Sequence, residues 1–331
     1  MNRYSFFNLK NKFKTSRRVK IITGIFVFLF LILSLPYLFF IAPPFSFDPP
    51  EIVRVSSGMT ISDVGSLLIE KNIIKSERSF RVLTSYLGQE TGIIAGDYYF
   101  ANRQNLITVA RRMTAGDFGI HLIRVTIPEG LSARQMSTIL NDRLPDFDQK
   151  RFIELGQAQE GYLFPDTYFI SPFATPEDIL EKMTNNFNEK MKDLMFDVSR
   201  SGRTLHEIIT MASILETEAR TTESRRVISG LLWKRLDDGM RLQVDAVFPY
   251  FLGKNTFELT LADLRYDSPY NTYLYAGLPP AAIANPGLDS IKAALYPEES
   301  PFWYYLSDMK GEMHYAITHD DHVRNKEKFL R

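Results

Sequence analysis

The stretch TLHEIITMASILETEAR, residues 204–220, decides how the rest of the chain reads. Thr204 followed three residues later by Glu207 is a capping box, so a helix starts there. At about 100° per residue, Ile208, Met211, Ile214 and Leu215 gather on the side of Glu218. Leu205 and Ile209 flank Glu216 on nearly the opposite side, and Thr210, Ser213, Thr217 and Arg220 fill the remaining arc. A helix apolar over most of its circumference is central in its domain. Both carboxylates should therefore be desolvated, on different faces. Such a group either pairs with a cation or keeps a proton near neutral pH. Arg220, Arg225, Arg226, Arg235 and Arg241 are the candidate partners. The second outcome makes a proton donor, suited to protonating a glycosidic oxygen. Glu216 and Glu218 point apart and cannot flank one bond. A second carboxylate must come from elsewhere, or the chemistry must use one.

Composition limits what surrounds this helix. The chain has 331 residues, 45% of them hydrophobic, with 39 acidic and 39 basic side chains. That is enough for two modest domains, and it carries no whole-protein nucleic-acid footprint. The absence of cysteine excludes disulfides, thiolate catalysis and cysteine metal sites. The neutrality hides an asymmetry: residues 1–20 hold Arg3, Lys10, Lys12, Lys14, Arg17, Arg18 and Lys20 and no acid. Residues 21–42, IITGIFVFLFLILSLPYLFFIA, carry no charge, and at 1.5 Å per residue they span a hydrocarbon core of roughly 30 Å. No A-x-A-like cleavage site follows, so the run reads as a retained transmembrane helix rather than a signal peptide. The basic tail should then be cytoplasmic and everything beyond residue 42 outside.

Residues 43–50, PPFSFDPP, read as a Pro-rich, extended spacer. Residues 52–74 and 122–144 share one plan, a short β-rich run, a Gly turn and an amphipathic helix. Between them IIAGDYYFANRQNLITVARRMTAG gives a strand, a turn and another helix. Helical patterns recur at about 176–199 and 223–238, with a short helix from Ser290. Strands are expected at FWYYLSD and MHYAIT, with a last helix from about residue 320. The mixture is α+β. Tyr162, Phe164, Tyr168, Tyr270, Tyr273 and Tyr275 cluster in loop-like segments, where aromatic faces suit pyranose rings.

The motifs EGYLFPDTY (160–168), ASILETEA (212–219), RLDDGMRLQVD (235–245), SPYNTYLYAGLPPAAIANPG (268–287) and HYAITHDDH (314–322) occur in that order. With the basic tail and single anchor, the chain resembles the YceG-like endolytic murein transglycosylases, the MltG family. The resemblance implies a LysM-like region over 51–125 and a YceG-like catalytic domain over 126–331. It implies that Glu218 is the general acid/base. Gln243, Asp245, Tyr270, Asn271 and Tyr273 would line the substrate cleft, with Tyr162 and Asp166 from the first motif. Glu216 and His322 would be structural near the site. The implied reaction cleaves the MurNAc–GlcNAc β-1,4 bond within nascent glycan strands and leaves 1,6-anhydro-MurNAc ends, with no cofactor. Glycan strands, the bacterial inner membrane and peptidoglycan synthases are the implied partners. Ala246 and Val247, Ala281 and Thr217 depart from the family's usual pattern, and none of these removes the acid.

Two other readings compete. One is a membrane-tethered, non-catalytic wall-binding scaffold, in which Glu218 is dispensable. The other is a water-using muramidase with Asp245 or Asp166 as second carboxylate, which leaves reducing ends. His314, His319 and His322 with Asp320 and Asp321 lack a strong metal-ligand spacing, and no metal site is assigned. The Asp pair caps the last helix instead.

Overall fold

The computed structural model describes residues 17–88, 92–308 and 310–330. Most of the basic tail, residues 1–16, lies outside the described residues. The chain divides into two compact units, Met1–Ile120 and His121–Arg331.

The first unit begins with α1 (Arg17–Pro36), which continues as a π-helical turn over Tyr37–Ile41. Together Val19–Ile41 form a helix of 23 residues, long and apolar enough to cross a membrane. Then follow β1 (Glu51–Val55), α2 (Ile61–Glu70), α3 (Glu77–Leu87), β2 (Gly96–Phe100) and α4 (Leu106–Ala115). β1 and β2 pair antiparallel, with Glu51 opposite Phe100 and Val55 opposite Gly96. Alternation sends Val53, Val55, Tyr98 and Phe100 into a core with Val64, Leu68, Phe80 and Met113. The segment 43–50 is not a free extended spacer. Phe47 lies in this same core, and Arg103 Nε donates to its carbonyl at 3.0 Å. One large apolar side chain among the prolines is enough to dock the segment.

The second unit opens with β3 (Ile123–Thr126), α5 (Ala133–Arg143), α6 (Gln149–Gln157) and β4 (Thr167–Ile170). β3 and β4 pair antiparallel, Val125 opposite Tyr168. β3 therefore belongs to this unit, and the division falls ahead of it, between residues 120 and 121. Next come α7 (Pro176–Met191), α8 (Met195–Arg200), α9 (Leu205–Glu218), α10 (Thr222–Asp237), α11 (Phe248–Leu252) and α12 (Leu288–Leu295). The hairpin of β5 (Tyr304–Ser307) and β6 (Met313–Ala316) precedes α13 (His319–Phe329). Two cores fill the unit. One joins β3, β4, α5, α6 and α7 through Val125, Met136, Leu140, Phe152, Ile179 and Met183. The other surrounds α9, which buries every residue from Ile208 to Leu215. The fold is α+β, with small two-stranded sheets.

Candidate active site

α9 is fixed at its start by the capping box. Thr204 N donates to Glu207 Oε2 at 2.7 Å, and Glu207 N donates to Thr204 Oγ1 at 3.2 Å. The helix stops at Glu218, because Ala219 is already extended (φ −135°, ψ 142°). Its two last carboxylates have opposite fates. The Glu216 side chain is 6% exposed and pairs with Arg225 Nη2 at 2.7 Å. Its other oxygen accepts from Gly287 N at 2.8 Å. Arg225 also reaches Asp289 at 2.6 Å and the Ala219 carbonyl at 3.2 Å. Glu216 thus ties the end of α9 to α10 and to the N-terminus of α12.

Glu218 is half-buried and, among the described residues, makes no such ion pair. Its Oε1 accepts from Ala246 N at 3.2 Å, and its Oε2 accepts from the Tyr305 hydroxyl at 3.0 Å. Burial pushes its pKa up to about 7, and the negative charge of Asp245 adds to this. The Tyr305 and Ala246 hydrogen bonds and the field of Arg235 pull the other way. Desolvation outweighs them because it acts on the whole carboxylate, whereas two hydrogen bonds replace only part of its hydration.

The walls around Glu218 are held by one buried cation and one loop pair. Arg235, on α10, donates to the Trp303 carbonyl (Nε, 2.8 Å) and to the Leu242 carbonyl (Nη1, 2.5 Å). It thereby joins the strand bearing Tyr305 to the segment bearing Asp245. That segment lies along 271–273: Gln243 N donates to the Thr272 carbonyl at 3.2 Å, and Val244 N to Thr272 Oγ1 at 3.0 Å. Leu242 and Val244 turn inward, while Gln243 and Asp245 are exposed. Gln243 adopts φ +52°, a left-handed conformation that is costly for a residue with a Cβ and is concentrated at functional sites. The Tyr273 hydroxyl donates to Asp245 Oδ1 at 2.7 Å.

The other expected residues are placed differently. Asn271 is fully buried; its Nδ2 donates to the Leu264 and Tyr266 carbonyls at 3.1 and 2.8 Å, and its Oδ1 accepts from Tyr273 N. Its side chain is consumed in shaping the loop. Tyr270 packs on Tyr250, with ring centroids 5.1 Å apart. Tyr162 sits edge-on to Phe187 at 5.1 Å. Asp166 accepts from Thr167 N at 2.7 Å and from Asn186 Nδ2 at 3.0 Å, and the Asn186 bond leads in holding its pKa down. Its partners belong to β4 and α7, not to the Glu218 group. His322 stacks on Tyr304 at 5.3 Å, and Arg235 lies over the same ring. Burial, then Lys326, His319 and Arg235, lower the His322 pKa to about 4, so it is neutral. His314 instead meets Asp308 at 3.0 Å. Among the described residues, the one grouping of metal-ligand types is Asp308, Glu312 and His314. Asp308 there accepts from Lys310 N and Glu312 N and holds the β5–β6 turn.

Two groups, Tyr305 and Glu160, escaped the sequence reading, while Arg235, one of the five arginines expected to pair, acts on Glu218 through its field. Tyr305 and Arg235 complete the Glu218 environment. Glu160, buried at 3% exposure, accepts from Ala133 N at 2.9 Å and from Asn285 Nδ2 at 2.6 Å. Asn285 Oδ1 accepts from Gly161 N and Leu163 N at 2.8 and 2.9 Å. Burial pushes the Glu160 pKa up to about 7, and its partners are the backbone and Asn285.

Fold and site together define a mixed α+β protein centred on a proton-retaining carboxyl, Glu218, beside a tyrosine hydroxyl. The chain belongs to the YceG-like family, whose family model matches residues 53–328. A Bacillus subtilis (strain 168) protein named endolytic murein transglycosylase is 30% identical over 305 residues, covering 84% of each chain. A protein of the same name from Streptococcus pneumoniae serotype 2 (strain D39) is 26% identical over 315 residues. There the match covers 82% of this chain and 57% of that longer relative. A crystal structure of a YceG-like protein from Listeria monocytogenes superposes with a TM-score of 0.57 at 28% identity. That likeness covers 83% of this chain and 99% of the other.

Proposed function

We propose that this chain is a peptidoglycan lytic transglycosylase, a lyase acting within glycan strands, with Glu218 as its only proton-transfer group. The observation that carries this reading is the contrast on α9. Glu216 is neutralised by Arg225, whereas Glu218 is held by a hydroxyl and one backbone N–H and keeps its proton to about pH 7. The names of the relatives support the substrate class.

In this mechanism protonated Glu218 donates to the oxygen joining N-acetylmuramic acid to N-acetylglucosamine. The glycosidic bond breaks, the bonding pair leaves with that oxygen, and positive charge develops at the muramic C1. Tyr305 and Ala246 N–H stabilise the carboxylate left behind. Glu218 then takes the proton from the 6-hydroxyl of the same sugar as that oxygen closes on C1. The 1,6-anhydro end forms, the acid is regenerated, and no water is consumed. A pKa near 7 suits a group that must first give and then take a proton. Asp245, held by Tyr273, supplies negative charge beside the developing cation. Gln243, exposed on the same segment, contacts the glycan, as do Tyr270 and Tyr162. The membrane-crossing reading of Val19–Ile41 puts these units outside the cytoplasmic membrane of a bacterium.

The test is turnover of uncross-linked glycan strands by Glu218→Gln and Glu216→Gln. Loss confined to Glu218→Gln is expected. Full activity of Glu218→Gln would reject the mechanism and favour a wall-binding scaffold.

A further inference from the structure

The junction between the apolar helix and the first unit has little slack. Lys75 Nζ donates to the Leu38 carbonyl at 2.8 Å, and Leu38 lies inside the span Val19–Ile41. That carbonyl needs an outside donor. Ala42 N is taken by the Tyr37 carbonyl, and the next two residues, Pro43 and Pro44, have no N–H. Six residues beyond Ile41, Phe47 is buried in the unit's core. Six residues extend at most about 20 Å. The unit is therefore held at the helix end at two points, one of them contributed by the loop between α2 and α3.

At that junction Phe45, Ser46, Ile69, Asn72 and Lys75 line a shallow groove of about 500 Å³. Phe45 is 82% exposed, and Lys75 Nζ lies 5.5 Å from its ring centroid. A bare aromatic ring beside a lysine, a few residues past a membrane span, suits the boundary between acyl chains and headgroups. An ammonium has three donors, and the Leu38 carbonyl takes one. We propose that the first unit lies against the outer leaflet through this groove, with Phe45 and Ile69 at the acyl boundary and Lys75 meeting lipid phosphate. This rests on Val19–Ile41 crossing the membrane and is independent of the glycan chemistry.

The absence of cysteine makes the test direct. Full-length protein carrying a fluorophore on Ile69→Cys is placed in phosphatidylcholine nanodiscs containing headgroup-spin-labelled lipid. Ser57→Cys is the comparison, because β1 and α2 carry position 57 to the end of the unit opposite Glu51 and Lys71, which pair at 2.7 Å. The expected result is strong quenching at 69 and little at 57. Lys75→Glu should lose the quenching at 69, and Lys75→Arg should keep it. Equal quenching at the two positions, or quenching at 69 that survives Lys75→Glu, would overturn the proposal. A chain that fails to enter the nanodiscs would overturn it with the membrane reading, leaving the transglycosylase reading to the glycan assay.

Discussion

The Tyr305 hydroxyl donates to Glu218 Oε2 at 3.0 Å, across 87 residues of chain. The bond favours the anion, so it opposes the desolvation that keeps the proton on. Tyr305→Phe should therefore raise the Glu218 pKa. A hydrogen bond to a charged group is worth about 1.5–3 kcal/mol, so kcat should fall on the order of tenfold or more. The loss of activity on the alkaline side should move to higher pH. A pH–rate profile checks both, and an unmoved alkaline limb would remove Tyr305 from the site's electrostatics.

The wild-type enzyme needs Glu218 protonated to begin. Its activity should fall as pH rises through about 7. The same shift acts on stability. A carboxyl whose folded pKa lies above its unfolded value favours the fold while protonated. That advantage is lost as pH rises from the unfolded value toward about 7. Glu218→Gln should therefore melt above wild type at pH 8 and close to it near pH 4. Scanning calorimetry at the two pH values tests this without any substrate.

Glu216→Ala should behave in the opposite way. It leaves Arg225 with Asp289 and the Ala219 carbonyl and frees Gly287 N. Breaking a buried ion pair costs on the order of 3 kcal/mol, so the melting temperature should drop at neutral pH. Activity per folded molecule should survive, because none of the groups around Glu218 is touched. A stable but inactive variant would contradict this division of labour.

Asn285→Ala removes one side chain that joins Leu131, Glu160, Gly161 and Leu163. The buried N–H groups of Gly161 and Leu163 would lose their partner, at about 1–3 kcal/mol for each unsatisfied group, and Glu160 would keep only the Ala133 N–H. Chemical denaturation should show a loss of several kcal/mol.

Gln243→Gly should relieve the left-handed backbone, for a gain of about 1 kcal/mol. If the side chain holds glycan, KM should rise while stability increases. Unchanged kinetics would assign the φ of +52° to loop geometry alone.

Much of this site was legible on one helix. The capping box and the angular spacing in 204–220 set Glu216 and Glu218 on different faces, and Arg225 was among the five arginines expected to pair. The rest depends on contacts distant in sequence. FWYYLSD reads as a strand, but nothing local says that Tyr305 rather than Tyr304 meets the carboxylate. The second donor, Ala246 N, is a backbone group and leaves no mark in residue type. Asn271 was expected at the cleft because the family resemblance maps its segment there; its amide is buried and bonds the loop's own backbone. Residues 176–199 read as one helix, yet the chain breaks between α7 and α8 at Lys192–Leu194. The Pro-rich composition of 43–50 masked Phe47, whose burial draws that segment into the first unit.

The most direct measurement is mass spectrometry of uncross-linked glycan digested by the full-length protein, with Glu218→Gln beside it. A single-acid mechanism without water predicts 1,6-anhydro-muramic ends from the wild type and no cleavage by the variant. Reducing ends from the wild type would contradict it and point to a water-using hydrolase with Asp245 as the second carboxylate.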